Sequence, residues 1–99
     1  MRLAARYGTP LYVYSAEAIR TRLQAFSRAF RSITHTLCYS VKANSTLGIL
    51  RLIAQQGAGF DVVSGGELER VLRIRPKAAA GVVFSGVGKT VPEMELALQ

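Results

Sequence analysis

Short apolar segments and longer segments with helical spacing alternate along this chain. Period-two alternation predicts a strand over residues 37–42, and short apolar runs predict strands over residues 11–14, 60–63 and 82–84. Spacings of three and four predict helices that follow residues 15, 45, 64 and 90. The connections between them are short. Strands and helices that alternate in this way form a parallel sheet covered by helices, so we predict an α/β fold.

Lys42 ends the second predicted strand and precedes a helical pattern. Period two places it on the same face as Cys38 and Ser40, opposite Tyr39 and Val41. The carboxyl edge of a parallel sheet is where α/β folds carry their active sites. A lysine amine at that edge can form a Schiff base. A solvated lysine at a strand end would show the same pattern, so spacing alone leaves both interpretations open.

Asp61 lies in the third predicted strand, on the face opposite Phe60 and Val62. We expect its carboxylate to project toward the side of Lys42, where it could pair with the ammonium group. The alternative is a strand-end aspartate that accepts hydrogen bonds from nearby amides.

Two predicted helices begin with the spacing of a capping box. Ser64 and Glu67 are three residues apart, and so are Thr90 and Glu93. In this arrangement each side chain accepts a hydrogen bond from the other residue's backbone N–H, so capping explains all four residues. Asn44 is a further candidate for a helix cap, together with the serine that follows it.

Composition narrows the classes of function. The chain has 99 residues, of which 49% are hydrophobic, enough for the core of one small domain. Its net charge of +7 is dispersed over helices without interleaved aromatic residues, which predicts solvated faces and no nucleic-acid partner. No apolar run could span a bilayer, so we expect no membrane association. A single cysteine fits a reducing compartment, so we expect a cytoplasmic location. One histidine and one cysteine predict no metal site.

Four segments, in the same order, resemble the pyridoxal-phosphate-dependent family of ornithine, diaminopimelate and arginine decarboxylases, which have an alanine-racemase-like barrel. They are YGTPLYVY at 7–14, YSVKAN at 39–44, GFDVVSGGEL at 59–68 and VFSGVGKT at 83–90. The resemblance implies a partial (β/α)8 TIM-like barrel: a lead-in strand and helix plus about three of the eight βα units. Residues 1–99 would then form the N-terminal part of the cofactor-binding domain, with the family's C-terminal β domain absent.

The resemblance also implies a reaction and a set of site residues. Lys42 would bind pyridoxal 5'-phosphate, and Asp61 would lie in the cofactor site. Asn44 would support Lys42, and Glu67 would border the substrate. The sequences of the four segments are most similar to those of family members that decarboxylate meso-2,6-diaminopimelate to L-lysine. The full-length form would be a homodimer with its active site at the subunit interface. We expect the 99 residues alone to be inactive.

Several alternatives remain at the sequence level. A sister enzyme of the ornithine or arginine type, or a racemase, would share most of these segments. A non-enzymatic basic module would instead use the net positive charge of the chain for binding. The segment GVGKT at 86–90 resembles the end of a phosphate-binding P-loop, but the glycine that this loop needs earlier is a valine here. Residues 73–81 depart from the family, with arginine and proline in place of a glycine turn.

Overall fold

The computed structural model describes residues 2–74 and 81–99. Most of the segment that departs from the family, residues 75–80, therefore lies outside the described part. The elements are α1 (Arg2–Tyr7), α2 (Ala16–Ala29), β1 (Cys38–Ser40), a 3-10 turn (Val41–Ala43), α3 (Leu47–Gln55), β2 (Gly59–Val62), α4 (Gly65–Ile74), β3 (Val82–Phe84) and α5 (Val91–Leu98).

The three strands form one parallel sheet in the order β1-β2-β3, which confirms the α/β prediction. In its register, Ser40 of β1 lies opposite Asp61 of β2, and Asp61 lies opposite Val83 of β3. These three side chains therefore share one face of the sheet, called here the inner face.

The core lies on the other face of the sheet, beneath α3 and α4. Phe60 and Val62 alternate with half-buried residues along β2, so one side of this strand is fully covered. Each such side chain stabilises the fold by about 1.5–3 kcal/mol relative to an exposed position. The described side chains that are at most 2% exposed are Val41, Leu50, Ile53, Phe60, Val62, Leu68 and Val71.

The strand predicted over residues 11–14 is wrong for this structure. No strand of the described part pairs with this segment, and Tyr12 is 87% exposed. Apolar residues form a strand only where a neighbouring strand takes up their backbone hydrogen bonds. The apolar stripe of α2 is buried only in part, because Ile19 and Leu23 pack on the core while Phe26 is 49% exposed.

The second strand is shorter than predicted, and this changes the position of Lys42. β1 ends at Ser40, and residues Val41–Ala43 form a 3-10 turn. Lys42 therefore follows the strand by two positions and does not end it. The buried Val41 side chain anchors this turn on the core, so the backbone leaves the sheet one step before Lys42.

Two of the predicted helix starts are confirmed in full. The Ser15 hydroxyl accepts a hydrogen bond from the Ala18 N–H at 3.2 Å. At α5 both halves of the Thr90–Glu93 capping box are present.

The other two helix starts differ from the prediction. At α4 the Ser64 hydroxyl accepts from the Glu67 N–H at 3.3 Å, but the Glu67 carboxylate accepts from Val63 N–H and not from Ser64. Asn44 does not cap α3. Its side-chain oxygen accepts from the N–H of Thr46, the actual cap residue, two positions later.

No helix within residues 2–74 and 81–99 has both the length and the apolar character needed to cross a membrane.

Candidate active site

The predicted site residues gather at the carboxyl edge of the sheet. Parallel strands bring their carboxyl ends to the same edge, so the turn after β1, the loop after β2 and the loop after β3 are neighbours there. Lys42 lies in the first of these and Glu67 borders the second. The Lys42 side chain is exposed, and the part of the chain that the structure describes offers its amine no hydrogen bond or ion pair.

Asp61 is the centre of a polar network on the inner face. The Ser40 hydroxyl donates to Asp61 Oδ2 at 3.1 Å, and the Ser85 hydroxyl donates to Asp61 Oδ1 at 2.5 Å. The network thus joins all three strands, because Ser85 directly follows β3. The expected ion pair between Asp61 and Lys42 is not formed among the described residues. The ion pair that is present there joins Arg20 to Glu17 at 3.9 Å.

Sequence reasoning missed the roles of the two serines. Period two places Ser40 on the inner face, and this signal could have paired it with Asp61. Ser85 lies beyond β3, and only the β2–β3 register brings it to Asp61. Its backbone N–H also donates to the Val62 carbonyl at 2.9 Å, which holds the residue from a second side.

Hydrogen bonds close the turn that carries Lys42. The Tyr39 hydroxyl donates to the Asn44 carbonyl at 3.2 Å, which links the residues on either side of the turn. Burial raises the pKa of Tyr39, and the nearby Tyr14 raises it further. Arg70 of α4 donates to the Ser45 carbonyl at 3.4 Å.

Glu93 joins the loops that follow β2 and β3. One of its carboxylate oxygens accepts from the Gly65 N–H at 2.7 Å, at the start of α4. The other accepts from the N–H and the hydroxyl of Thr90, both at 2.9 Å. The hydrogen bonds from Gly65 and then from Thr90 lower the pKa of Glu93, because they favour its charged form.

The comparison with known families identifies the family of the chain. The profile described as "Pyridoxal-dependent decarboxylase, pyridoxal binding domain" matches residues 16–99. The chain belongs to the pyridoxal-dependent decarboxylase family. The resemblance found in the sequence is thereby confirmed, and so is the pyridoxal cofactor.

Similarity to individual members of the pyridoxal-dependent decarboxylase family supports this assignment. The chain is 54% identical to a diaminopimelate decarboxylase of Vibrio cholerae, over 98% of this chain and 23% of that protein. The structure of Helicobacter pylori diaminopimelate decarboxylase complexed with L-lysine matches with a TM-score of 0.88 and 40% identity, over 98% of this chain and 24% of that one. Lysine/ornithine decarboxylase of Vibrio vulnificus, complexed with putrescine, matches with a TM-score of 0.88 and 25% identity, over 98% and 26% of the two chains.

The chain thus spans about a quarter of the length of the pyridoxal-dependent decarboxylases it matches. Over that length the agreement with the solved decarboxylases confirms a partial (β/α)8 barrel, of which the described part forms a three-stranded parallel sheet.

The residues present fit a pyridoxal cofactor. A lysine amine is exposed at the carboxyl edge, and a half-buried carboxylate held by two hydroxyls lies on the adjoining inner face. Among the described residues, no cluster of three or more His, Cys, Asp or Glu side chains is placed to hold a metal ion.

The structure does not support the P-loop alternative. The Lys89 ammonium donates to the Gly86 carbonyl at 2.7 Å and lies 5.6 Å from the centre of the Phe84 ring. It therefore folds back onto its own turn. The Glu93 carboxylate occupies the start of α5, where a P-loop would hold phosphate.

Proposed function

We propose that the complete polypeptide carrying this chain decarboxylates meso-2,6-diaminopimelate to L-lysine, with pyridoxal phosphate held by Lys42. The observation that carries the proposal is the Lys42 amine, exposed in the turn after the first strand with no partner in the described part of the chain. The 54% identity to the Vibrio cholerae diaminopimelate decarboxylase supports the choice of substrate.

Pyridoxal phosphate, when bound, supplies an electron sink for the electron pair left behind as carbon dioxide departs. The chain's own residues position that chemistry. Lys42 presents a primary amine on a flexible stem, and the Tyr39–Asn44 hydrogen bond fixes the backbone turn from which the stem extends. Asn44 holds the next turn through its side chain, and we propose that this turn supports Lys42.

Asp61 and Glu67 provide negative charge near the carboxyl edge. We propose that the Asp61 carboxylate faces the cofactor, because neutral hydroxyls hold it and leave its charge uncompensated. Glu67 is bound to the Val63 N–H through Oε2 alone within the described residues. Its Oε1 is thus available to accept a hydrogen bond from the cationic amine of a substrate.

A lysine/ornithine decarboxylase is the second candidate. The Vibrio vulnificus enzyme and the Helicobacter pylori diaminopimelate decarboxylase match this chain with the same TM-score of 0.88, so the backbone does not distinguish their substrates. Sequence identity favours diaminopimelate, at 40% against 25%.

Three further expectations are part of the proposal. Residues 1–99 form the N-terminal part of the cofactor-binding barrel domain, the complete protein is a homodimer with its active site at the subunit interface, and it works in the cytoplasm. The absence of a disulfide-forming second cysteine accords with a reducing compartment. Mass measurement in solution and cell fractionation test the last two expectations.

The test uses the complete polypeptide, the Lys42→Ala variant and Lys89→Ala as a matched control. We expect wild type and Lys89→Ala to show the violet absorbance of bound cofactor, and Lys42→Ala to lack it. Borohydride reduction followed by peptide mapping should place the pyridoxyl label on Lys42. A label on Lys89 would contradict the site.

Substrate choice is measured as carbon dioxide release. We expect release from meso-diaminopimelate and much slower release from ornithine, arginine or lysine. Preferential release from ornithine or lysine would transfer the proposal to the second candidate.

A further inference from the structure

We propose that Ser85, assisted by Ser40, is a positioning residue that orients the Asp61 carboxylate without neutralising it. This inference rests on the proposed function and deepens it. It concerns two serines that lie in segments carrying the family resemblance but are not among the site residues implied by it.

The first argument is the geometry of the carboxylate. Asp61 lies on the middle strand, and each of its two oxygens accepts from a hydroxyl on a different side, that of Ser40 in β1 and that of Ser85 just after β3. Rotation of the carboxylate about its bond to Cβ would lose at least one of these hydrogen bonds. The plane of the carboxylate is therefore fixed relative to the inner face.

The second argument ranks the two serines. The Ser85 hydrogen bond is 2.5 Å long and the Ser40 bond 3.1 Å. Short hydrogen bonds to an ionised acceptor are the stronger ones. Ser85 is also held through its own N–H by the Val62 carbonyl at 2.9 Å, so its hydroxyl approaches Asp61 from a fixed backbone. Ser85 therefore contributes more than Ser40.

The third argument concerns charge. A lysine or arginine partner would orient Asp61 equally well but would cancel its charge. Serine hydroxyls donate without carrying charge, and a carboxylate has about four lone-pair sites, of which two are used here. Asp61 can thus still accept a hydrogen bond from a cationic group of the cofactor or substrate. Lys42, which makes no ion pair with Asp61 in the described residues, keeps its amine available for the cofactor.

The experiment compares Ser85→Ala, Ser40→Ala and Ser85→Thr in the complete polypeptide. Loss of one hydrogen bond to a charged group should lower kcat about tenfold or more in Ser85→Ala, with KM changed less than about twofold. The longer hydrogen bond predicts a smaller loss, about threefold, in Ser40→Ala. Ser85→Thr keeps the hydroxyl and should stay within about twofold of wild type.

A second readout does not depend on turnover. Titration of the cofactor-free protein with pyridoxal phosphate, followed by absorbance, should show affinity about tenfold weaker in Ser85→Ala and restored in Ser85→Thr. In an Asp61→Ala background, Ser85→Ala should have no further effect on affinity, because the two residues act as a unit.

The outcomes separate this inference from the proposed function. An active wild type with unchanged kcat and cofactor affinity in Ser85→Ala would overturn the role of Ser85 and leave the proposed function standing. Equal losses in Ser85→Thr and Ser85→Ala, or additive effects with Asp61→Ala, would also overturn it. A wild type that neither binds the cofactor nor releases carbon dioxide would overturn both.

Discussion

Two adjacent glycines at the start of α4 should respond in opposite ways to the same substitution. An added Cβ at Gly65 would lie 3.0 Å from Glu93 Cγ and 3.3 Å from its Oε1, whereas a Cβ at Gly66 would meet no atom within 4 Å. Gly65 is buried and Gly66 is exposed. Gly66→Ala is therefore a matched control for Gly65→Ala, with the same chemistry one residue away in the same helical turn.

The magnitudes follow from two opposing effects. Replacing glycine by alanine where the backbone permits it stabilises the folded state by about 0.4–1 kcal/mol, because the unfolded chain loses conformational freedom. We expect this gain in full for Gly66→Ala. Overpacking at a close contact costs about 1–3 kcal/mol, so Gly65→Ala should be destabilised by about 1 kcal/mol net. The two variants should differ by about 1–3 kcal/mol in the free energy of unfolding.

Urea unfolding of the complete polypeptide, with both variants measured side by side, checks this prediction. The Glu93→Ala background adds a decisive comparison, because truncating Glu93 removes the atoms that the new Cβ would meet. The cost of Gly65→Ala should disappear there, which a double-mutant cycle detects as coupling. Equal stabilities of Gly65→Ala and Gly66→Ala, or a cost of Gly65→Ala that persists in the Glu93→Ala background, would refute the reasoning.

Three further predictions concern pH and completeness. The pKa of Glu93 is lowered in the folded state, so the Glu93 carboxylate contributes to stability above its usual pKa of 4.5. This contribution is lost as the pH falls through the lowered pKa. The difference in unfolding free energy between wild type and Glu93→Gln, measured in an acid titration, should therefore shrink over that range. Tyr39 shows the opposite pH dependence, because its pKa is raised in the folded state. Its contribution to the free energy of unfolding is present below pH 10.0 and is lost as the pH rises through the raised pKa. Tyr39→Phe should lose about 1 kcal/mol at neutral pH and lack this alkaline decline, as measured by urea unfolding across pH. Expressed by itself, the 99-residue chain should aggregate and release no carbon dioxide from diaminopimelate, because β1 and β3 each leave one edge unpaired in the described sheet and Tyr12, Val83 and Val87 are more than half exposed. Light scattering and a carbon dioxide assay check this, and a folded, active monomer would contradict it.

Local signals predicted the elements whose stabilising contacts are close in sequence. The Thr90–Glu93 capping box and the start of α2 after Ser15 depend on neighbouring residues and are present as expected. β3 matches its predicted bounds of 82–84, where it pairs in parallel with β2.

Predictions failed where packing or pairing, rather than the residue pattern, decided the local structure. Residues 11–14 have the apolar character of a strand but no strand beside them in the described residues. Asn44 has the chemistry of a helix cap, but its side chain accepts from Thr46 N–H instead, and the Tyr39 hydroxyl holds its carbonyl. Lys42 was expected in the strand, and burial of Val41 moved it into a turn.

The sequence by itself determined the α/β class, the family, and the identity of Lys42 and Asp61 as candidates, because periodicity and motifs are properties of nearby residues. Only the tertiary structure decided what surrounds them. Ser85 is 24 residues from Asp61, and Glu93 is 28 residues from Gly65, so neither contact leaves a local signal. Both arise because parallel strands return to the same edge after each helix, which brings together residues that one βα unit separates in the chain.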